Sequence, residues 1–83
     1  MELDDIDVKK TFGKDFVTTG QSEFFLTMDH TPSGVHVAVF DRGRNYSVCV
    51  FKGLTQLCMK VKKVEEVIDR VKNTDLVKAT TWP

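Results

Sequence analysis

The residues that could carry acid–base chemistry are few in this chain. Its two histidines are His30 and His36, and catalysis by either would need a nucleophile or an orienting carboxylate at hydrogen-bond distance. Asp29 precedes His30, but adjacent residues of a strand point to opposite faces. The sequence contains no G-x-S-x-G, H-E-x-x-H, P-loop or G-x-G-x-x-G motif. We therefore predict no enzymatic activity, no cofactor and no small-molecule substrate.

Metal binding has one candidate, since His36, Cys49 and Cys58 would share a sheet face and are ligand types that zinc accepts. The cysteines do not form a C-x-x-C pair, and the sequence shows no obvious fourth ligand. We favour two reduced thiols and no metal. We expect no disulfide, because Cys49 and Cys58 would be diagonal neighbours about 7–8 Å apart.

Composition limits the class of protein. The 83 residues carry 12 basic and 12 acidic side chains, and 41% of them are apolar. This predicts a single small domain (1–83) with mobile ends at 1–10 and 78–83. No apolar run is long enough to span a membrane, the N-terminus has no leader pattern, and two cysteines are too few for a disulfide framework. We therefore predict a cytoplasmic or otherwise intracellular location.

The zero net charge conceals a gradient along the chain. Residues 1–30 contain seven acids and three bases, whereas residues 31–83 contain five acids and nine bases. The neutral total argues against indiscriminate nucleic-acid binding, and the basic second part weakens that argument.

Alternation of β-branched and aromatic residues predicts strands at 24–28, 35–40 and 46–51, separated by turns containing Pro32, Gly34 and Gly43. Pairing Asp41 with Tyr46, and Asp29 with Gly34, aligns the apolar residues on one side. Leu26 then lies beside Val37. We call this side the valine face: Phe24, Leu26, Met28, Val35, Val37, Val39, Tyr46, Val48 and Val50.

Residues 54–61 fit both a strand and a helix. Period-2 alternation after a tight Lys52-Gly53 turn favours a fourth strand to about residue 60, and a helix from about 62 presents Val64, Val67, Ile68 and Val71 on one side. A short strand at 15–19 is a further option. The predicted fold is α+β, an antiparallel three- to four-stranded meander with one C-terminal helix packed on the valine face.

The opposite side of the sheet, which we call the Phe-rich face, is unusually apolar for a solvent-exposed surface. Its predicted members are Phe25, Thr27, His36, Ala38, Phe40, Ser47, Cys49, Phe51, Leu54 and Gln56. Three interpretations remain open. The N-terminal residues 1–20 could fold across it, a protein could bind it, or unpaired bases of a nucleic acid could stack on it.

From these features we predict a small non-catalytic protein that acts by surface occupancy, as a regulator or inhibitor. The first hypothesis is a protein partner, or a second copy in a homodimer, and the predicted binding residues are Phe25, His36, Phe40, Phe51 and Trp82. The alternative is a module for single-stranded RNA or DNA. Its predicted phosphate-binding residues are Arg42, Arg44, Lys52 and Lys60.

Overall fold

The computed structural model describes residues 2–73. A 3-10 turn (Leu3–Asp5) and a short helix α1 (Val8–Phe12) precede the sheet. The strands are β1 (Phe16–Gln21), β2 (Phe25–His30), β3 (Val35–Asp41), β4 (Tyr46–Lys52) and β5 (Thr55–Val61), and helix α2 (Val64–Asn73) follows them. Trp82, predicted to bind a partner, and the tail 78–83, predicted to be mobile, lie outside the described residues.

Within residues 2–73 the fold is α+β, with one antiparallel sheet whose five strands follow chain order. The prediction of three or four strands was therefore too low. Residues 16–21 add an edge strand, longer than the optional strand at 15–19, by pairing with β2. Residues 55–61 form a strand that pairs with β4, which settles the ambiguity of 54–61 in favour of the strand.

The register between β3 and β4 is as predicted, with Asp41 opposite Tyr46. Between β2 and β3 the prediction was wrong by two residues, because Asp29 pairs with His36 and not with Gly34. The turn between them consists of residues 31–34, and it closes where the Gly34 N–H donates to the His30 carbonyl at 2.9 Å. Gly34 has φ +74°, which glycine adopts without strain. A two-residue shift changes partners but keeps every side chain on its face.

The hydrophobic core lies on the valine face of the sheet. Leu26, Val37 and Val39 are completely buried there. The 3-10 turn, α1 and α2 contribute to the same cluster, which also contains Leu3, Ile6, Val8, Phe16, Val64, Val67 and Val71. One member of the predicted valine face departs from it: Phe24 precedes β2 and is 62% exposed.

The N-terminal segment packs on the valine face, which overturns the interpretation that residues 1–20 cover the Phe-rich face. Leu3, Ile6 and Val8 are buried in the core. A side-chain amide holds the segment in place, because Gln21 Nε2 donates to the Leu3 carbonyl at 3.0 Å and to the Ile6 carbonyl at 2.7 Å. The mobility predicted for residues 1–10 stays a prediction.

Substituting Gln21→Ala should lower the free energy of unfolding by about 1–2 kcal/mol, since two partly buried carbonyls lose their donor. Urea denaturation measures this loss. The matched control is Gln56→Ala on the other edge strand, where the amide nitrogen donates to Cys58 Sγ. Equal losses in the two variants would show that Gln21 does not anchor the N-terminal segment.

Burial raises the pKa of the Tyr46 phenol above its ordinary value of 10.0, and the nearby carboxylates of Asp41, Glu2 and Glu65 raise it further. As the pH rises past 10.0, the unfolded chain loses its phenolic proton before the folded protein does. The tyrosine contribution to stability is therefore fully present below pH 10.0 and is lost as the pH rises through the folded pKa.

The variant Tyr46→Phe should accordingly lose less stability than the wild type between about pH 9.5 and 11. Lysines also titrate there, so the readout is the difference between the two proteins in urea denaturation across that range. Parallel curves would contradict the proposed role of Tyr46.

Within residues 2–73, no helix combines the length and the apolar character that crossing a bilayer would require.

Candidate functional site

The register arranges the Phe-rich face as three rows that cross β2 to β5. The Phe40 row contains Phe25, Phe40, Ser47 and Lys60. The central row contains Thr27, Ala38, Cys49 and Cys58. The Phe51 row contains Asp29, His36, Phe51 and Gln56.

On β2 to β4 the small side chains of the central row lie between the aromatic side chains of the other two rows, and together they form a shallow trough. Ala38 and Cys49 in the central row are only 4% and 9% exposed, whereas Phe25 in the Phe40 row is 38% exposed. The two outer rows, which are its walls, are four residues apart along a strand, which corresponds to about 14 Å. The predicted residues Phe25, Phe40, His36 and Phe51 all lie in these walls, so the structure brings them to one surface without joining them in a single cluster.

A close contact with β1 positions Phe25 in its wall. Gly20 lies opposite Thr27 after an irregularity in the pairing of β1 with β2. A Cβ at position 20 would come within 2.9 Å of Thr27 Oγ1 and 3.2 Å of the Phe25 ring. The missing side chain therefore leaves the space that the Phe25 ring uses.

The Phe40 row carries positive charge. The guanidinium carbon of Arg42 lies 5.1 Å from the centroid of the Phe40 ring, and its Nε donates to Ser47 Oγ at 3.3 Å. Arg42 and Lys60 line one cavity of about 410 Å³ together with Ser47, Cys49, Gln56, Cys58 and Met59. Of the four predicted phosphate-binding residues, these two are brought together. Arg44 is exposed in the turn after β3, and Lys52 lies at the far end of β4.

The Phe51 row contains a carboxylate–imidazole pair that was not predicted from the sequence. Asp29 Oδ1 and His36 Nδ1 are 2.5 Å apart, and the His36 ring lies 6.0 Å from that of Phe51. The two residues are direct cross-strand partners, whereas the predicted register placed Asp29 opposite Gly34 and so separated them. His30 lies elsewhere and contacts Ser33 Oγ at 2.7 Å.

The two cysteines form a disulfide, so the prediction of two reduced thiols was wrong. The turn between β4 and β5 is Gly53-Leu54, not Lys52-Gly53, and this makes Cys49 and Cys58 direct partners. Their Cα atoms are 4.1 Å apart, a separation typical of a non-hydrogen-bonded antiparallel pair. The same turn moves Leu54 from the Phe-rich face to a fully exposed hairpin tip.

The disulfide has two consequences for the sequence predictions. Because both sulfur atoms are bonded to each other, neither is available as a zinc thiolate, which overturns the alternative of a site at His36, Cys49 and Cys58. The predicted intracellular location rested in part on reduced cysteines. The disulfide removes that support, since disulfides persist mainly in oxidising environments.

Comparisons with protein-family models, with curated proteins and with solved structures found no match.

The disulfide can be tested by alkylation under denaturing conditions. The protein purified in air should take up no iodoacetamide before reduction and two equivalents after it, as read by intact mass. Replacing both cysteines by alanine should lower the free energy of unfolding by about 2–3 kcal/mol, because the unfolded chain loses its cross-link. Alkylation before reduction would contradict the assignment.

Proposed function

We propose that this protein is a non-catalytic binding domain whose Phe-rich face receives an amphipathic helix of a protein partner. The observation that carries the proposal is the trough on a sheet whose other face is already filled by the core. Large apolar surfaces with a polar rim are typical of interfaces.

The shape of the trough favours a ridge-shaped occupant. An α-helix with its side chains is about 10–12 Å wide, which is comparable to the spacing of about 14 Å between the Cα positions of the two walls. A second copy of the same face would set aromatic wall against aromatic wall and leave the two central rows apart. This geometry favours a helix from another protein over the homodimer.

The charges on the walls determine which charged residues should flank the apolar stripe of that helix. Arg42 and Lys60 lie along the Phe40 row, and Asp29 lies on the Phe51 row bonded to His36. A helix lying along the central row would therefore place acidic residues beside Arg42 and Lys60. Its apolar stripe would contact Phe25, Phe40 and Phe51 (anchor contacts of this kind dominate helix-in-groove binding).

The same arrangement is less suited to stacking bases of a nucleic acid. Arg42 already covers one side of the Phe40 ring, and the Asp29 carboxylate would repel phosphates on the other wall.

A binding role without catalysis also agrees with the geometry of the Asp29–His36 pair. Among residues 2–73, no hydroxyl or thiol is hydrogen-bonded to the His36 ring, so that pair lacks a nucleophile.

The test uses two display libraries of 18-residue peptides with an apolar helical stripe, one with Glu and one with Lys along a flank. The wild type should enrich Glu-flanked peptides. The variant Phe25→Ser should bind the selected peptides at least about tenfold more weakly than the wild type, because it removes an aromatic anchor. Phe24→Ser is the matched control, since Phe24 is the next residue but does not belong to the trough, and it should leave affinity unchanged.

Reversing the wall charge with Arg42→Glu and Lys60→Glu should turn the preference toward Lys-flanked peptides. The proposal is wrong if no peptide is selected, or if Phe24→Ser and Phe25→Ser weaken binding equally. It is also wrong if a labelled mixed oligonucleotide binds saturably at low salt and Phe25→Ser abolishes that binding, which would assign the Phe-rich face to single-stranded nucleic acid.

A further inference from the structure

The surroundings of the Cys49–Cys58 disulfide favour a reaction at the bond in addition to its role as a structural cross-link. Cys49 is buried at 9% exposure, whereas Cys58 is exposed on β5. β5 is an edge of the sheet formed by the described residues, and the two cysteines face each other directly across the strands. Solvent therefore reaches the bond mainly from the side of Cys58.

The accessible sulfur can be attacked along the direction that exchange requires. A thiolate attacks a disulfide in line with the bond, from the side opposite the leaving sulfur. Since the bond spans from β4 to β5, the approach to Cys58 Sγ comes from the open edge of β5. The equivalent approach to Cys49 Sγ comes from within the sheet, where Ala38 is its neighbour.

The cavity beside the disulfide is positively charged. Arg42 and Lys60 line the same cavity of about 410 Å³ as both cysteines, and an acidic side chain is not among the lining residues. Positive charge attracts an incoming anionic thiolate and stabilises the thiolate that leaves. Gln56 Nε2 donates to Cys58 Sγ at 3.2 Å, which supports negative charge on that sulfur in a later step.

From these observations we propose that the Cys49–Cys58 disulfide is a thiol–disulfide exchange site for an anionic low-molecular-weight thiol that carries carboxylates. In the first step its thiolate bonds to Cys58 Sγ, the bond between the two cysteines breaks, and Cys49 leaves as a thiolate. In the second step another molecule of the same thiol attacks the exogenous sulfur of the mixed disulfide. Cys58 is released as a thiolate, so two thiols are oxidised to one disulfide while the protein takes up two electrons.

The experiment compares reduced glutathione with cysteamine at matched thiolate concentrations, using the folded wild-type protein. Samples are quenched by alkylation, and mass spectrometry locates the adduct. The test variant Arg42→Gln with Lys60→Gln removes the cavity charges. The matched control, Arg44→Gln with Lys52→Gln, changes the net charge equally but leaves the cavity lining intact.

The expected adduct is glutathione on Cys58. Its rate of formation should fall by about three- to tenfold in the cavity variant relative to the control, as expected for two partly screened charges. The cysteamine rate should fall less in the cavity variant, because its zwitterionic form has no net charge to attract and loses only the stabilisation of the leaving thiolate. Neither rate depends on peptide docking, so this test stands apart from the one for the Phe-rich face.

Three results would overturn the proposal. An adduct on Cys49 would contradict the assigned direction of attack. Equal losses of glutathione rate in the cavity and control variants would show that Arg42 and Lys60 have no local role. A reduction rate independent of thiol concentration would mean that the disulfide reacts only after the sheet unfolds.

Discussion

The antiparallel register is the constraint on which the rest of this structure depends. Because side chains alternate along each strand, one continuous register sends Leu26, Val39 and Val48 into the core and Phe25, Phe40 and Ser47 to the opposite face. A slip by a single residue in any strand would exchange the two sets and bury polar groups. The burial of the valine face therefore also determines which side chains stand next to one another on the Phe-rich face.

Alternation made much of the fold predictable from the sequence. The strands at 35–40 and 46–51 and their pairing follow from β-branched residues between clear turn signals, and the structure has this pairing. The lengths of the turns could not be predicted in the same way. The pattern cannot distinguish Asp29 opposite Gly34 from Asp29 opposite His36, because both registers keep the same faces.

The same two-residue uncertainty limited the prediction of the site. Most strand residues of the Phe-rich face could be predicted, since their side depends only on parity, whereas Leu54 was misplaced because it lies in the turn. The Asp29–His36 pair and the Cys49–Cys58 disulfide could not be predicted, since each depends on which residues are direct partners. Position 20 also escaped prediction, because a pairing irregularity beside an edge strand leaves no sequence signal other than the glycine itself.

Gly20 has a consequence for how the Phe-rich face can vary among related sequences. It lies outside the hydrophobic core, and its α-carbon backs the Phe25 ring from the neighbouring strand. Any larger residue at this position must displace Phe25 or Thr27 while the valine face remains filled. Gly20 is thus a position at which a single substitution would reshape the Phe-rich face while the core keeps its packing.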